Sequence, residues 1–305
     1  MTMKKIVSYI AGAMMLLIPV ASGAQALPFT AADFDAASLG TAGANLTGVS
    51  SIAHSAFVNA AAIPFADDKL DVAAGYTMWK PTSGNVINVA GAYNMNNKFG
   101  VAVGFIYGMN PAYDVTNASG TSKKTFSPSD MQVNAGLSYR FLPFLSVGAN
   151  VGYATQSLAP EVSYGSVTAD VFAMAEFSDL RVAAGVANLG GGIEAADGTK
   201  FSLPASAALG VGYGKVFAKK HGVDAMVDID YFFQGGVSAS LGAAYVFDDM
   251  VTVRAGYRYG GKTVIPSYAS VGAGVKFMGI KLDLSYLIAS GPIANTLAVS
   301  LGYSF

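Results

Sequence analysis

The ten residues TLAVSLGYSF, 296–305, alternate without a break: Leu297, Val299, Leu301, Tyr303 and Phe305 share one phase, and Thr296, Ala298, Ser300, Gly302 and Ser304 the other. A period of two is that of a β-strand, whose successive side chains point to opposite faces. One face of this strand is therefore apolar and aromatic, and the other small and polar. Whether the apolar face meets a protein core or lipid decides the fold.

Composition favours lipid. The 305 residues are 52% hydrophobic and only 12% charged, against about a quarter charged in an average soluble domain. So few charges do not cover a water-facing surface of this size. The formal net charge of -1 offers no basic stripe for nucleic acid. With no cysteine in the chain, neither a disulfide framework nor a cysteine-borne lipid anchor is available.

The same alternation recurs from residue 70 onward. Val101, Val103, Phe105 and Tyr107 share a phase, as do Val223, Ala225, Val227, Ile229 and Tyr231, and Val251, Val253, Ala255, Tyr257 and Tyr259. Tyrosine or phenylalanine repeatedly closes the apolar phase, as interfacial girdles require. Charges within these segments fall on the opposite phase: Asp224, Asp228, Asp230, Arg254, Arg258, Lys276, Lys281 and Asp283, with Asp71, Asp170 and Arg181 among others. A soluble sandwich would bury them, whereas a membrane barrel turns them to its lumen. The pattern predicts an all-β fold, a transmembrane antiparallel β-barrel of about 14 strands over 70–305. Short turns are expected on the inner side, with KVFAKKH (215–221) as the exception, and longer loops on the outer side at 109–129, 155–165, 189–203, 260–267 and 289–295.

Two segments precede the barrel. Lys4 and Lys5, an apolar run from Ile6 to Val20 and AQA at 24–26 read as a Sec-type signal peptide over 1–26, directing the chain to the bacterial outer membrane. Residues 27–69 do not alternate and are rich in small side chains. Inward positions such as Gly100, Ala102 and Gly104 are too small to fill a barrel of this width, so 27–69 is expected to plug the lumen.

Within that plug, SLGTAGANLTGVSSIAHSAFVNAAAIPFADD (38–68) resembles the N-terminal signature of the PorV/PorQ outer-membrane proteins of Bacteroidota, which belong with the FadL-like transporters. The matching positions are Leu39, Gly40, Gly43 and Ala44, then Phe57, Asn59, Ala60 and Ala61, with Ala60 standing where the family carries proline. The resemblance implies a hatch inside the barrel. It further implies either an accessory subunit of a type IX-like secretion or surface-assembly machine, with a protein partner, or a FadL-like passive transporter of hydrophobic small molecules such as long-chain fatty acids. The terminal Tyr303 and Phe305 resemble the closing strand of bacterial barrels, which implies recognition by the barrel-assembly machinery.

Other chemistry is poorly supplied. The chain has two histidines. Ser51 and Ser55 flank His54, but a serine nucleophile needs a base held by a third group, so no catalytic residues are assigned. Asp224, Asp228 and Asp230 lack the spacing of a calcium loop, and no metal or cofactor is expected. The inward charges are expected to brace the wall or tie down the plug, or else to line a polar path. Phe105, Tyr113, Phe126 and Tyr164 are the scattered candidates for an apolar ligand pocket near the outer loops.

Overall fold

The computed structural model describes residues 25–116, 120, 122–261, 263, 265–291 and 293–305; the expected signal peptide, apart from its last two residues, lies outside them. The strands are, in chain order, β1 (Leu70–Trp79), β2 (Gly84–Met95), β3 (Phe99–Met109), β4 (Tyr113–Thr116), β5 (Ser122–Phe126), β6 (Ser129–Leu142), β7 (Leu145–Ala159), β8 (Val162–Phe177) and β9 (Leu180–Leu189). They continue as β10 (Ile193–Glu194), β11 (Lys200–Phe201), β12 (Ser206–Phe217), β13 (His221–Phe232), β14 (Gly236–Phe247), β15 (Val251–Tyr259), β16 (Tyr268–Phe277), β17 (Ile280–Ile288) and β18 (Leu297–Ser304).

Fourteen of these close into one antiparallel barrel, and β4–β5 and β10–β11 form separate small hairpins outside it. Strand β18 closes the barrel. It pairs with β1 from Asp71↔Ser304 to Met78↔Leu297, and the Phe305 carbonyl accepts from the Lys69 and Leu70 N–H groups at 2.6 and 3.0 Å. Every wall strand thus has two hydrogen-bonded neighbours, as backbone in lipid must. The two phases separate as the alternation predicts. Val103 and Leu137 are 63% and 66% exposed on the outside, while inward Ala102, Asn134 and Asn150 are buried.

We call the end where β1 begins and β18 finishes the inner end. Its connections, 96–98, 143–144, 178–179, 218–220, 248–250 and 278–279, are two or three residues long, and left-handed residues such as Asn96, Asn97, Ser178, Asp248 and Asp249 make them, as tight hairpins demand. The expected exception at 215–221 disappears, because β12 runs through Phe217 and β13 starts at His221. The outer end also differs from expectation. The 155–165 loop is mostly ladder, with β7 and β8 paired out to Ala159↔Val162. The 109–129 loop carries the β4–β5 hairpin, which Tyr113 braces by donating its hydroxyl to the Leu158 carbonyl at 2.8 Å.

The segment before β1 runs down the lumen from the outer end to the inner. Gln25 and Ala26 meet Ser202 beneath the outer loops. A 3-10 turn (Pro28–Ala31), a short α-helix (Ala36–Gly40) and a second 3-10 turn (Ala60–Phe65) follow. Asp35 caps the helix by accepting from the Ser38 N–H, and Asn59 caps the last turn by accepting from the Ala61 N–H at 2.9 Å. Ala60 therefore occupies the first position of that turn, where proline is tolerated but not required.

Candidate functional site: the hatch and the lumen wall

A segment with so little regular structure carries many unpaired backbone groups, and inside a barrel these must find partners on the wall. Asparagines on the inward phase supply them. Asn88, Asn94 and Asn134 donate to the carbonyls of Phe34, Ala66 and Ala56, each at 2.9 Å, and Asn150 donates to Ser55 at 3.3 Å. Thr77 and Ser270 donate to Phe34 and Gly40, and the Ser300 hydroxyl accepts from the Ala36 N–H.

The inward charges divide between hatch and wall. The Asp228 carboxylate accepts from the hatch N–H groups of Asn45 and Leu46 at 2.7 and 2.8 Å. Asp71, 1% exposed in its side chain, accepts from Ile52 N–H at 2.9 Å and from Lys281 at 2.5 Å. Arg254 pairs with Asp283 at 2.6 Å, and Lys276 lies between Asp68 and Asp249. Arg258 approaches Asp230 at 3.8 Å and donates to Ser238 and Ser240. Asp224 turns away from the β15 arginines and pairs instead with Arg181 of β9. The eight charges picked out in the sequence all line the lumen, but as separate pairs and hatch contacts rather than as one network.

Of the signature residues, Gly40, Ala44, Phe57, Ala60 and Ala61 meet the wall at glycines. A methyl added to Gly148 would run into the backbone of Ala60 and Ala61, and one added to Gly104 into the Phe57 ring. Leu39 and Ala44 are buried, the latter near Gly242. Gly40 lies against Arg254 and Gly272. Gly43 turns the chain at φ +77, its N–H donating to the Ser38 carbonyl at 2.9 Å. Asn59 also donates to Leu46 at 2.8 Å, locking the two halves of the signature together. His54 meets Asn88 at 2.7 Å. Among the described residues no group of three or more His, Asp or Glu side chains is placed to hold a metal.

The apolar candidates near the outer loops are not where an interior ligand would sit. Phe105 faces outward and stacks on Tyr107, and Tyr113 and Phe126 pack together in the outer hairpin. Tyr164 lines none of the three cavities described below. The outer lumen is greasy for a different reason. Leu27 and Phe29 of the hatch pack with Trp79, Ile106, Leu203, Ile265 and Ile293, and Phe34 meets Trp79 edge-on at 5.1 Å. Several of these lie in loops or on the inward phase, where alternation gave no signal.

Between hatch and wall lie cavities of about 100, 60 and 20 Å³. The largest lies toward the outer end, beside a bulge in β9 where the Asn188 N–H donates to Asp170 at 2.7 Å. Asp33 of the hatch, which lines it, is raised to about 6 by burial and then by the neighbouring Asp35. Hatch residues Leu39, Ile52, Ala56 and Ile63 are fully buried within the barrel.

No protein-family model matches the sequence, and no curated protein matches it. Solved structures do match in fold. The Pseudomonas putida toluene transporter TodX superposes with a TM-score of 0.62 at 14% identity, covering 89% of this chain and 98% of that one. The Ralstonia pickettii toluene transporter TbuX gives 0.61 at 13%, covering 89% and 97%. A Pseudomonas aeruginosa FadL homologue gives 0.55 at 11%, covering 89% and 98%. At these identities the likeness is one of fold: a closed 14-strand barrel.

Proposed function

We propose that this protein is an outer-membrane channel for hydrophobic small molecules. The observation that carries the reading is the pairing of a lumen occupied by the hatch, whose Leu39, Ile52, Ala56 and Ile63 are fully buried, with an apolar cluster at its outer end around Trp79, Leu27 and Phe29. Such a barrel rejects polar solutes and offers apolar ones a place to leave water. Its fold is that of structures named as toluene transporters. The accessory role in secretion implied by the PorV/PorQ resemblance has no matching family model or curated relative behind it, and no feature of the lumen favours it over the channel. Tyr303 and Phe305, at the inner end of the seam, remain the proposed signal to the assembly machinery.

Trp79 is the only tryptophan, so its fluorescence reports on the outer cluster. Titrating the nanodisc-embedded protein with toluene or oleate should shift Trp79 emission saturably, and Phe29→Asp should abolish the shift. An emission spectrum that no apolar titrant moves would count against the reading.

A further inference from the structure

We infer that the lumen also contains an aqueous path for small cations, with Val58 as the apolar constriction between its inner and outer halves. The three cavities lie in series along the barrel. Those of about 100 and 20 Å³ occupy the outer half, bounded by Asn188, Ser206 and Phe232 at the outer ends of their strands and by Ile106 and Gln132. The cavity of about 60 Å³ occupies the inner half, bounded by Asp224 and Arg254 near the inner turns and by the exposed hatch residues Ser50 and Ser51. A water molecule needs roughly 10–15 Å³ of such space and two or more polar partners, so each cavity is large and polar enough for water. Asp228 Oδ1 and Arg258 Nε, in residues lining the outer cavity, are buried with no protein partner, an acceptor and a donor of the kind buried water satisfies.

Val58 is the one residue that lines all three cavities. Asn45 also borders the cavities of about 100 and 60 Å³, and Asp35 and His54 those of about 60 and 20 Å³. The isopropyl group of Val58 is therefore the apolar member of the boundary between the inner and outer halves, and an apolar constriction closes a path by excluding water from it. The sign of the permeant ion follows from the walls. Of the charges that line the cavities, Asp224 pairs with Arg181, Asp230 faces Arg258 and Arg254 pairs with Asp283, whereas Asp33, Asp35 and Asp228 form no ion pair among the described residues. The excess of acid favours cations.

The inference does not rest on the hydrophobic-channel reading, since ionic current and apolar uptake are measured separately. The test is single-channel recording in planar bilayers across a potassium chloride gradient. Val58→Thr keeps the volume and adds a hydroxyl, and Val58→Ala removes bulk. Both should raise conductance several-fold over the parent, with a reversal potential on the cation side, and Asp33→Asn in the Val58→Ala background should reduce that preference. Ile63→Val, which trims hatch packing in a separate cluster that lines none of the three cavities, should leave the conductance at the parent level. Unchanged current in heat-modifiable, folded Val58 variants would overturn the inference. So would an anion-selective current, or an equal rise in Ile63→Val.

Discussion

At the scale of single residues, the side chains that hold the hatch are ones the wall would otherwise have no reason to bury. Arg254 and Asp283 are 13% and 14% exposed in their side chains, and removing one member of such a pair strands the other. Arg254→Ala should cost about 3–5 kcal/mol, read as a lower temperature for loss of the folded band on unboiled gels. The combined Arg254→Met, Asp283→Leu variant should recover most of the loss, and an unchanged midpoint for the single variant would refute the bracing role. Asp33 gives a pH dependence of defined sign. A carboxyl raised from 3.8 to about 6 in the folded state contributes stability that is complete below its free value and is lost as pH rises through about 6. Asp35, Asp230, Arg258 and Asn45 set its surroundings. Hatch seating, followed by protease protection of residues 27–66, should therefore be firmer at pH 5 than at pH 7.5, and Asp33→Asn should flatten the difference. That charges such as Asp228 and Lys281 face inward was legible from their phase alone. Their partners were not: Asp224 reaches back to Arg181 because register across the barrel and the path of the hatch, not period, decide who meets whom.

At the scale of elements, the strands were readable because lipid outside and polar wall inside impose opposite demands on alternate residues. The hatch was readable only as a failure of that pattern. Its path emerges from complementarity: small wall residues where the hatch backbone approaches, asparagines where its carbonyls point. Inward asparagines such as Asn88 and Asn134 were a signal that sequence reading passed over, since a neutral polar side chain facing a lumen has no obvious partner until the hatch is in place. The turn at 218–220 was missed because consecutive Val216 and Phe217 blur the alternation just where the strand leaves the membrane. Gly148→Val should push Ala60 and Ala61 off the wall and raise single-channel conductance. Deleting residues 27–66 should raise it further, and equal conductance for the deletion and the parent would show that the segment does not seal the lumen.

At the scale of the whole molecule, the barrel combines a wall common to many outer-membrane proteins with an interior that excludes them as models for open diffusion. The hatch fills the barrel from within, and at the outer end Leu203, Ile265 and Ile293 of the loops join it in the apolar cluster around Trp79. Fold alone does not assign function, and the resemblance seen in the hatch signature implied two roles without separating them. What separates them is selectivity. The most direct measurement is uptake by cells whose lipopolysaccharide-bearing outer membrane contains this barrel as the sole channel for apolar solutes, comparing a labelled monoaromatic hydrocarbon or fatty acid with a polar solute of similar size. Faster apolar uptake with unchanged polar uptake, lost in Phe29→Asp, is the result expected. Equal uptake of both solutes, or no change in either while the barrel is folded in the membrane, would contradict the account.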